Sequence, residues 1–256
     1  MSRFALLLDY SFSAVLKNWK AVVLFFLILI LLFFFHFIPF LSFVGQVVVS
    51  FIVTQIEVYY GRAFMKAESR EELLEFLENS TVSKIFTENI QVSSGIFFAS
   101  FIVTTALSLF TFGLLFLTGL IYDFNSVESV ENALLYGLIY FLIISTVWLT
   151  YLYLVPLGIG YGMSRDGFGE AFLGFFRIFT PTFWKKAMSF QYFKIVTLGG
   201  ILLTVFALFG FVFTVTLILS PLGAAVFYLT AVFWGSLCGE SYRLSFLQSD
   251  DGAPVN

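Results

Sequence analysis

Long apolar runs alternate with short charged segments along the whole chain. Four runs contain no Asp, Glu, Lys or Arg, and they cover residues 21–56, 89–122, 132–164 and 195–239. A helix rises about 1.5 Å per residue and the hydrocarbon core of a bilayer is about 30 Å thick, so about 20 residues cross it. The pattern predicts an all-α integral membrane protein, with residues 1–256 forming a single transmembrane domain.

The first and last runs are long enough for two crossings each. They contain 36 and 45 residues, and each is interrupted near its middle, by Pro39 in the first and by the stretch Ser220 to Gly223 in the second. Proline ends a helix because it lacks a backbone N–H and its ring clashes with the preceding turn. We therefore expect a hairpin in each. The two middle runs, of 34 and 33 residues, leave one or two crossings open by length alone.

The distribution of basic residues decides between these alternatives. With one crossing for each middle run, all 13 Lys and Arg residues lie on one side, and the other side keeps only Asp123, Glu128 and Glu131. Because Lys and Arg concentrate in cytoplasmic loops, we predict six helices in the cell membrane with both termini in the cytoplasm. The predicted helices cover residues 21–38, 41–61, 95–121, 133–156, 195–219 and 222–240.

An amphipathic segment precedes each predicted hairpin. Apolar residues recur at helical spacing over residues 168–180, where Pro181 ends the pattern, and similar stripes cover residues 4–19 and, in broken form, 70–88. Such segments are typical of helices that lie in the membrane interface. We therefore predict three hairpins, each preceded by an amphipathic interfacial helix.

Composition supports the membrane class and excludes several activities. Hydrophobic residues make up 60% of the chain and charged residues 11%, against about 25% charged in soluble domains. A net charge of −3 offers no attraction to nucleic acid, which we exclude as a partner. The chain has one histidine, His36, and one cysteine, Cys238, and no catalytic or metal-binding set can be assembled from its motifs. We predict no enzyme activity, no metal and no cofactor.

Polar residues within the spans are the first candidate site, because a charge at membrane depth costs on the order of 3 kcal/mol. Two interpretations remain open. In the first, Glu57 pairs with Arg62 and Glu240 pairs with Arg243, so that both acids remain at the cytoplasmic boundary. In the second, a polar cluster inside the bundle binds a cation or a proton. Its candidate members are Gln46, Gln55, Glu57 and Glu240.

Glycine pairs near two helix ends have the G-x-x-x-G spacing that lets membrane helices approach closely. They are Gly158 with Gly162 and Gly235 with Gly239. Close packing is the favoured interpretation. A flexible hinge at the cytoplasmic end of the helix is the alternative.

The third amphipathic segment is a candidate lipid interface, because it combines apolar rings with nearby cations that suit anionic headgroups. The candidate residues are Phe168, Phe172, Phe175, Phe176, Phe179, Lys185, Lys186 and Lys194. The acidic segment at residues 68–80 places Glu71, Glu72, Glu75 and Glu78 on one side of a short helix. That face is interpreted as solvated, or as a docking surface for a cytosolic protein.

The motif "GFGEAFLGFFRIF", followed by "FWKK", two apolar spans and "GESYR", carries a family resemblance. This layout resembles uncharacterised prokaryotic polytopic membrane families related to the membrane domain of glycerophosphodiester phosphodiesterases. Relatives of the phosphodiesterase type carry a separate soluble catalytic domain, for which this chain has no room. The resemblance therefore implies a fold and a membrane location without an activity.

From the sequence we expect a non-enzymatic polytopic membrane protein that organises or assists a membrane process. The expected partners are membrane lipids and a cytosolic protein at the acidic segment, and the oligomeric state stays open. The alternative is a membrane subunit of a transporter that works with a cytosolic ATPase. Few polar residues lie within the spans, so that alternative requires a hydrophobic or lipid-like substrate.

Overall fold

The computed structural model describes residues 2–35, 38–121, 127–215 and 219–247. Within these ranges the chain forms helices joined by short connections and no β-strand, which confirms the predicted all-α class. His36 and Asp123 lie outside the described residues. The described helices are α1 (Arg3–Lys17), α2 (Trp19–Phe35), α3 (Pro39–Lys66), α4 (Arg70–Asn79), α5 (Val82–Thr87), α6 (Ile90–Ile121), α7 (Val127–Met163), α8 (Phe168–Phe175), α9 (Pro181–Ala187), α10 (Phe190–Val215) and α11 (Ser220–Tyr242).

Five helices, α3, α6, α7, α10 and α11, are long and apolar enough to cross a membrane. A sixth crossing requires α1 and α2 together, and these two helices meet at a bend of 76°. The described chain is therefore a multi-pass membrane protein with five or six spans.

Several helices continue past the ends expected from hydropathy. α3 runs to Lys66 rather than residue 61, and α7 runs to Met163 with Pro156 inside it. Hydropathy identifies only the part of a helix that crosses the hydrocarbon core. Packing on neighbouring helices lets the helix continue beyond that part. α7 tolerates the hydrogen bond lost at Pro156 because the turns that follow pack on α8 and α11.

Two of the predicted amphipathic segments are divided. Residues 70–88 form α4 and α5, because Ser69 and Thr81 each cap a new helix by accepting a hydrogen bond from the backbone N–H three residues on. Residues 168–180 form α8 and a 3₁₀ turn, Phe176–Phe179. Pro181 then begins α9 at the position where its missing N–H costs no hydrogen bond.

Helix α11 is the centre of the bundle. Of its most apolar 18-residue window, 67% is buried, against 11% in α6 and in α7. It packs on α3, α7 and α10 and also contacts α1 and α2. Small residues, among them Gly235, Ser236 and Gly239, let these neighbours approach its backbone closely.

The bundle is tight at one end and open at the other. We call the tight end, where α3, α7 and α11 finish and α6 and α10 begin, the charged end. At the opposite end large side chains such as Phe40, Phe116 and Phe211 are exposed, as expected for lipid contact. Among the described residues there, contacts within pairs of helices include Gly45 with Leu32, Trp148 donating a hydrogen bond to Thr111, and Gly210 with Phe227. Within the described residues, the three helix pairs therefore join one another at the charged end.

Candidate functional site

A buried carboxylate, Glu240, lies at the centre of the charged end. The Arg3 guanidinium donates to it from Nη2 at 2.9 Å and from Nε at 3.3 Å, and Arg243 Nε lies 3.3 Å from the same carboxylate. Arg3 also donates to the carbonyl oxygen of Ala67, just after α3. Two cations thus face one fully buried acid. This ion pair ties the start of α1 to the ends of α3 and α11.

A second polar contact joins α3 to the segments that follow α5 and α7. Arg62 donates to Asn89 Oδ1 at 3.0 Å and to the Asp166 carboxylate at 2.8 Å. Arg62 is therefore occupied by these two partners and does not pair with Glu57, contrary to one interpretation of the sequence.

Helix α4 is held on α1 by two ion pairs at opposite ends. Arg70 Nε donates to Asp9 at 2.7 Å, and Lys17 Nζ donates to Glu78 at 2.7 Å. The hydrogen bond and charge of Asp9 raise the pKa of the Arg70 guanidinium above its ordinary value. Between these pairs Leu73 and Leu77 are buried. The acidic segment is thus a docked helix whose outer face exposes Glu71, Glu72 and Glu75.

A cavity of about 440 Å³ lies beside α4, at the end of α3. Its apolar lining includes Leu73 and Phe76. Its polar lining combines both signs of charge with an amide and a phenol. The polar lining residues are Tyr59, Arg62, Lys66, Glu72, Glu88 and Asn89.

A basic and aromatic rim surrounds the start of α10, on another side of the charged end. Met188 and Phe190 are 77% and 78% exposed, and Phe193 is 52% exposed. Lys185 and Lys194 are exposed beside them and form no ion pair within the described chain. Lys186 is half-buried, with its Nζ 5.5 Å from the centroid of the Phe246 ring. Exposed rings beside unpaired cations suit a surface of lipid headgroups.

The four polar candidates within the spans are not brought together. Gln46 is exposed, and Glu57 is partly exposed. Gln55 is buried, and neither of its side-chain amide atoms has a hydrogen-bond partner within the described chain. Glu240 is bound to Arg3 and Arg243. No hydrogen bond or ion pair among the described residues joins any two of the four, so the hypothesis of an intramembrane polar cluster receives no geometric support.

The phenylalanine stripe packs largely against protein. Phe175 is fully buried, so its ring is not available to lipid, contrary to expectation. Phe172 and Phe176 are partly buried against the core, since α8 packs on α6 and α7. Phe168 and Phe179, at the two ends of the stripe, are 44% and 60% exposed. The stripe therefore exposes its rings mainly at its two ends.

The paired glycines lie at close helix crossings, which agrees with the packing interpretation. A Cβ on Gly235 would meet the backbone of Glu57 in α3, and one on Gly239 would meet the carbonyl oxygen of Gly61. In α7, a Cβ on Gly158 would meet Ile178, and one on Gly162 would approach Ile96 at 2.8 Å. The α11 glycines therefore bring α3 to backbone distance, whereas the α7 glycines accommodate side chains of the 3₁₀ turn and of α6.

Sequence analysis missed two features of this end. The Arg3–Glu240 pair joins residues 237 positions apart, and no local spacing indicates it. The cavity is assembled from α3, α4 and the α5–α6 junction, which are adjacent only after α4 docks on α1. Among the described residues no group of three His, Cys, Asp or Glu side chains is arranged to hold a metal ion.

Fold and site define the class as an all-α polytopic membrane protein with a compact, charged end. No family model, curated protein or solved structure matches the chain. The resemblance to families related to the phosphodiesterase membrane domain stays a prediction.

Proposed function

We propose that the protein is a non-enzymatic membrane protein that assists or organises a membrane process by binding anionic lipid at its charged end, which we assign to the cytoplasmic face. The observation that carries this proposal is the rim around the start of α10. There the exposed Met188 and Phe190 side chains lie beside Lys185 and Lys194, which lack acidic partners within the described chain.

The rim meets the physical requirements of an interfacial lipid site. Lipid-facing rings gain free energy in the acyl boundary, and each Lys near an anionic surface contributes about 1 kcal/mol of attraction. The rim lies at the start of a membrane-spanning helix, Phe190–Thr214, where headgroups are expected. Two lysines and several rings in one place therefore favour anionic over zwitterionic lipid.

The test is mass spectrometry of the lipids retained when the full chain is extracted in native membrane discs. We expect anionic lipid to be enriched over its share in the bulk membrane, and this enrichment to fall in a Lys185→Ala/Lys194→Ala variant. The matched control, Lys20→Ala/Lys84→Ala, removes the same charge from exposed lysines elsewhere. Bulk lipid composition around the unmodified protein, or an equal loss in both variants, contradicts the proposal.

A second candidate, a transporter subunit driven by a cytosolic ATPase, is favoured by the docking of α4. Its exposed Glu71 and Glu75 offer an acidic surface, and its ion pairs to α1 connect that surface through Arg3 to α11. If the protein is a transporter subunit, we expect the same discs to contain a cytosolic ATPase in stoichiometric amount. We then expect a Glu71→Gln/Glu75→Gln variant to lose the ATPase and keep its lipids. The Lys185→Ala/Lys194→Ala variant is expected to keep the ATPase and lose anionic lipid.

A further inference from the structure

Some charged side chains that line the cavity beside α4 have hydrogen-bond or ion-pair partners within the described chain, and others do not. Arg62 is held by Asn89 and Asp166, and Glu72 accepts a hydrogen bond from the backbone N–H of Glu68 at 2.9 Å. Lys66 and Glu88 also line the cavity, but within the described chain neither side chain forms an ion pair or hydrogen bond. The cavity therefore presents one unpaired cation and one unpaired anion.

Unpaired charges of opposite sign select for a ligand that carries both signs. A purely anionic ligand leaves Glu88 without a partner and is repelled by its carboxylate. A purely cationic ligand leaves Lys66 without a partner and is repelled by its ammonium group. The apolar side chains of Ala63, Leu73 and Phe76 in the lining suit a short carbon backbone in the ligand. At about 440 Å³ the cavity has the size of a small-molecule site, for which about 300–1,000 Å³ is usual.

We propose that this cavity binds a zwitterion with an ammonium group and a phosphate group. The phosphate lies at Lys66, with Arg62 adding positive potential, and the ammonium lies at Glu88. Lys66 ends the span Phe40–Lys66, so the cavity lies at the level of lipid headgroups. A phosphoethanolamine lipid headgroup and a free glycerophosphoethanolamine share this chemistry. The site is separate from the basic rim at α10 and goes beyond the function proposed there.

A purely structural role for the two charges is the competing explanation. Lys66 lies in the last turn of α3, and Glu88 lies just before α6, where each complements the dipole of its helix. On this explanation, Lys66→Ala and Glu88→Gln lower stability slightly and change no binding. A binding measurement therefore separates the two explanations.

The experiment titrates the full chain in detergent with glycerophosphoethanolamine and follows binding by calorimetry. We expect saturable binding that Lys66→Ala and Glu88→Gln each weaken about tenfold, because each removes a charge-assisted contact. Both residues are exposed and unpaired, so neither variant is expected to unfold. The matched controls Lys20→Ala and Glu75→Gln remove exposed charges outside the cavity and are expected to bind as the unmodified chain does.

Two further arms identify the source and the class of ligand. Glycerophosphoglycerol, which lacks the ammonium group, is expected to bind at least tenfold more weakly. If phosphatidylethanolamine is retained in discs of mixed lipid and the water-soluble probe does not bind, the ligand is the membrane lipid. Absence of both kinds of binding overturns the proposal. Equal binding of the two soluble probes, or no effect of Glu88→Gln, also overturns it.

Discussion

Arg3 and Glu240 form a two-point ion pair, with Nη2 to Oε2 at 2.9 Å and Nε to Oε1 at 3.3 Å. The carboxylate is fully buried and the arginine is 25% exposed. A helix from the start of the chain is thereby fixed to the last helix, on which the rest of the bundle packs. The charged end is complete only when α1 and α11 have assembled.

Removing Arg3 is expected to destabilise the protein. In an Arg3→Ala variant Glu240 keeps only Arg243 at 3.3 Å, and the lost charge-assisted hydrogen bonds cost about 2 kcal/mol. Thermal unfolding followed by tryptophan fluorescence measures this as a lower Tm. Arg3→Lys keeps one charged contact and is expected to lose less. Equal Tm values for Arg3→Ala and the unmodified chain contradict the role assigned to the pair.

Adding one methyl group at Gly235 is expected to separate α3 from α11. The new Cβ would lie 2.6 Å from Glu57 Cα, so the helices must move apart, at a cost of about 1–3 kcal/mol. Gly200→Ala is the matched control, because nothing lies within 4 Å of its Cβ position. Tm is expected to fall for Gly235→Ala and to hold or rise for Gly200→Ala. Similar shifts in the two variants rule out the close crossing.

Replacing Gln55 by an apolar residue of similar size is expected to stabilise the fold. Gln55 is 2% exposed, and its amide has no hydrogen-bond partner within the described chain. Gln55→Met removes a buried unpaired group that costs about 1–3 kcal/mol. Tm in detergent is expected to rise. Gln191→Met, at an exposed position early in α10, serves as control and is expected to change little. A fall in Tm for Gln55→Met indicates that the amide has a partner in the membrane.

Reversing one ion pair between α1 and α4 is expected to loosen α4. Lys17 and Glu78 are partly exposed, so their pair contributes less than about 1 kcal/mol. In a Lys17→Glu variant, hydrogen exchange of residues 70–79 is expected to accelerate a few-fold. Adding Glu78→Lys restores the opposite charges and the slow exchange. Unchanged exchange in the single variant shows that Leu73 and Leu77 hold α4 without the pair.

The predicted orientation is testable by cysteine labelling, because Cys238 is fully buried and is expected to stay unlabelled in the folded protein. With a membrane-impermeant maleimide, Glu75→Cys is expected to react only in inside-out vesicles. Asp123→Cys is expected to react only in right-side-out cells. The unmodified chain is the control for background labelling. The opposite pattern places the charged end outside and overturns the proposed cytoplasmic assignment.

Hydropathy located five spans in the described chain, because a 30 Å core requires long apolar helices whatever their neighbours are. Hydropathy predicted the helix ends poorly, as for α3, which continues to Lys66. Outside the hydrocarbon core, packing on other helices determines where a helix ends. The phenylalanine period predicted one apolar face over residues 168–180, which was assigned to lipid. Its assignment to lipid was wrong for Phe175, because apolar residues face lipid and protein alike and periodicity does not distinguish them.

The sequence by itself determined the all-helical membrane class, because apolar length leaves a bilayer-spanning chain few alternatives. Tertiary structure alone decided which residues meet at the charged end. The partner of Glu240 is Arg3 rather than Arg243 alone, and Arg62 binds Asp166 rather than Glu57. These choices depend on how helices distant in sequence approach one another. That approach depends on the small residues of α11, whose contacts no local pattern specifies.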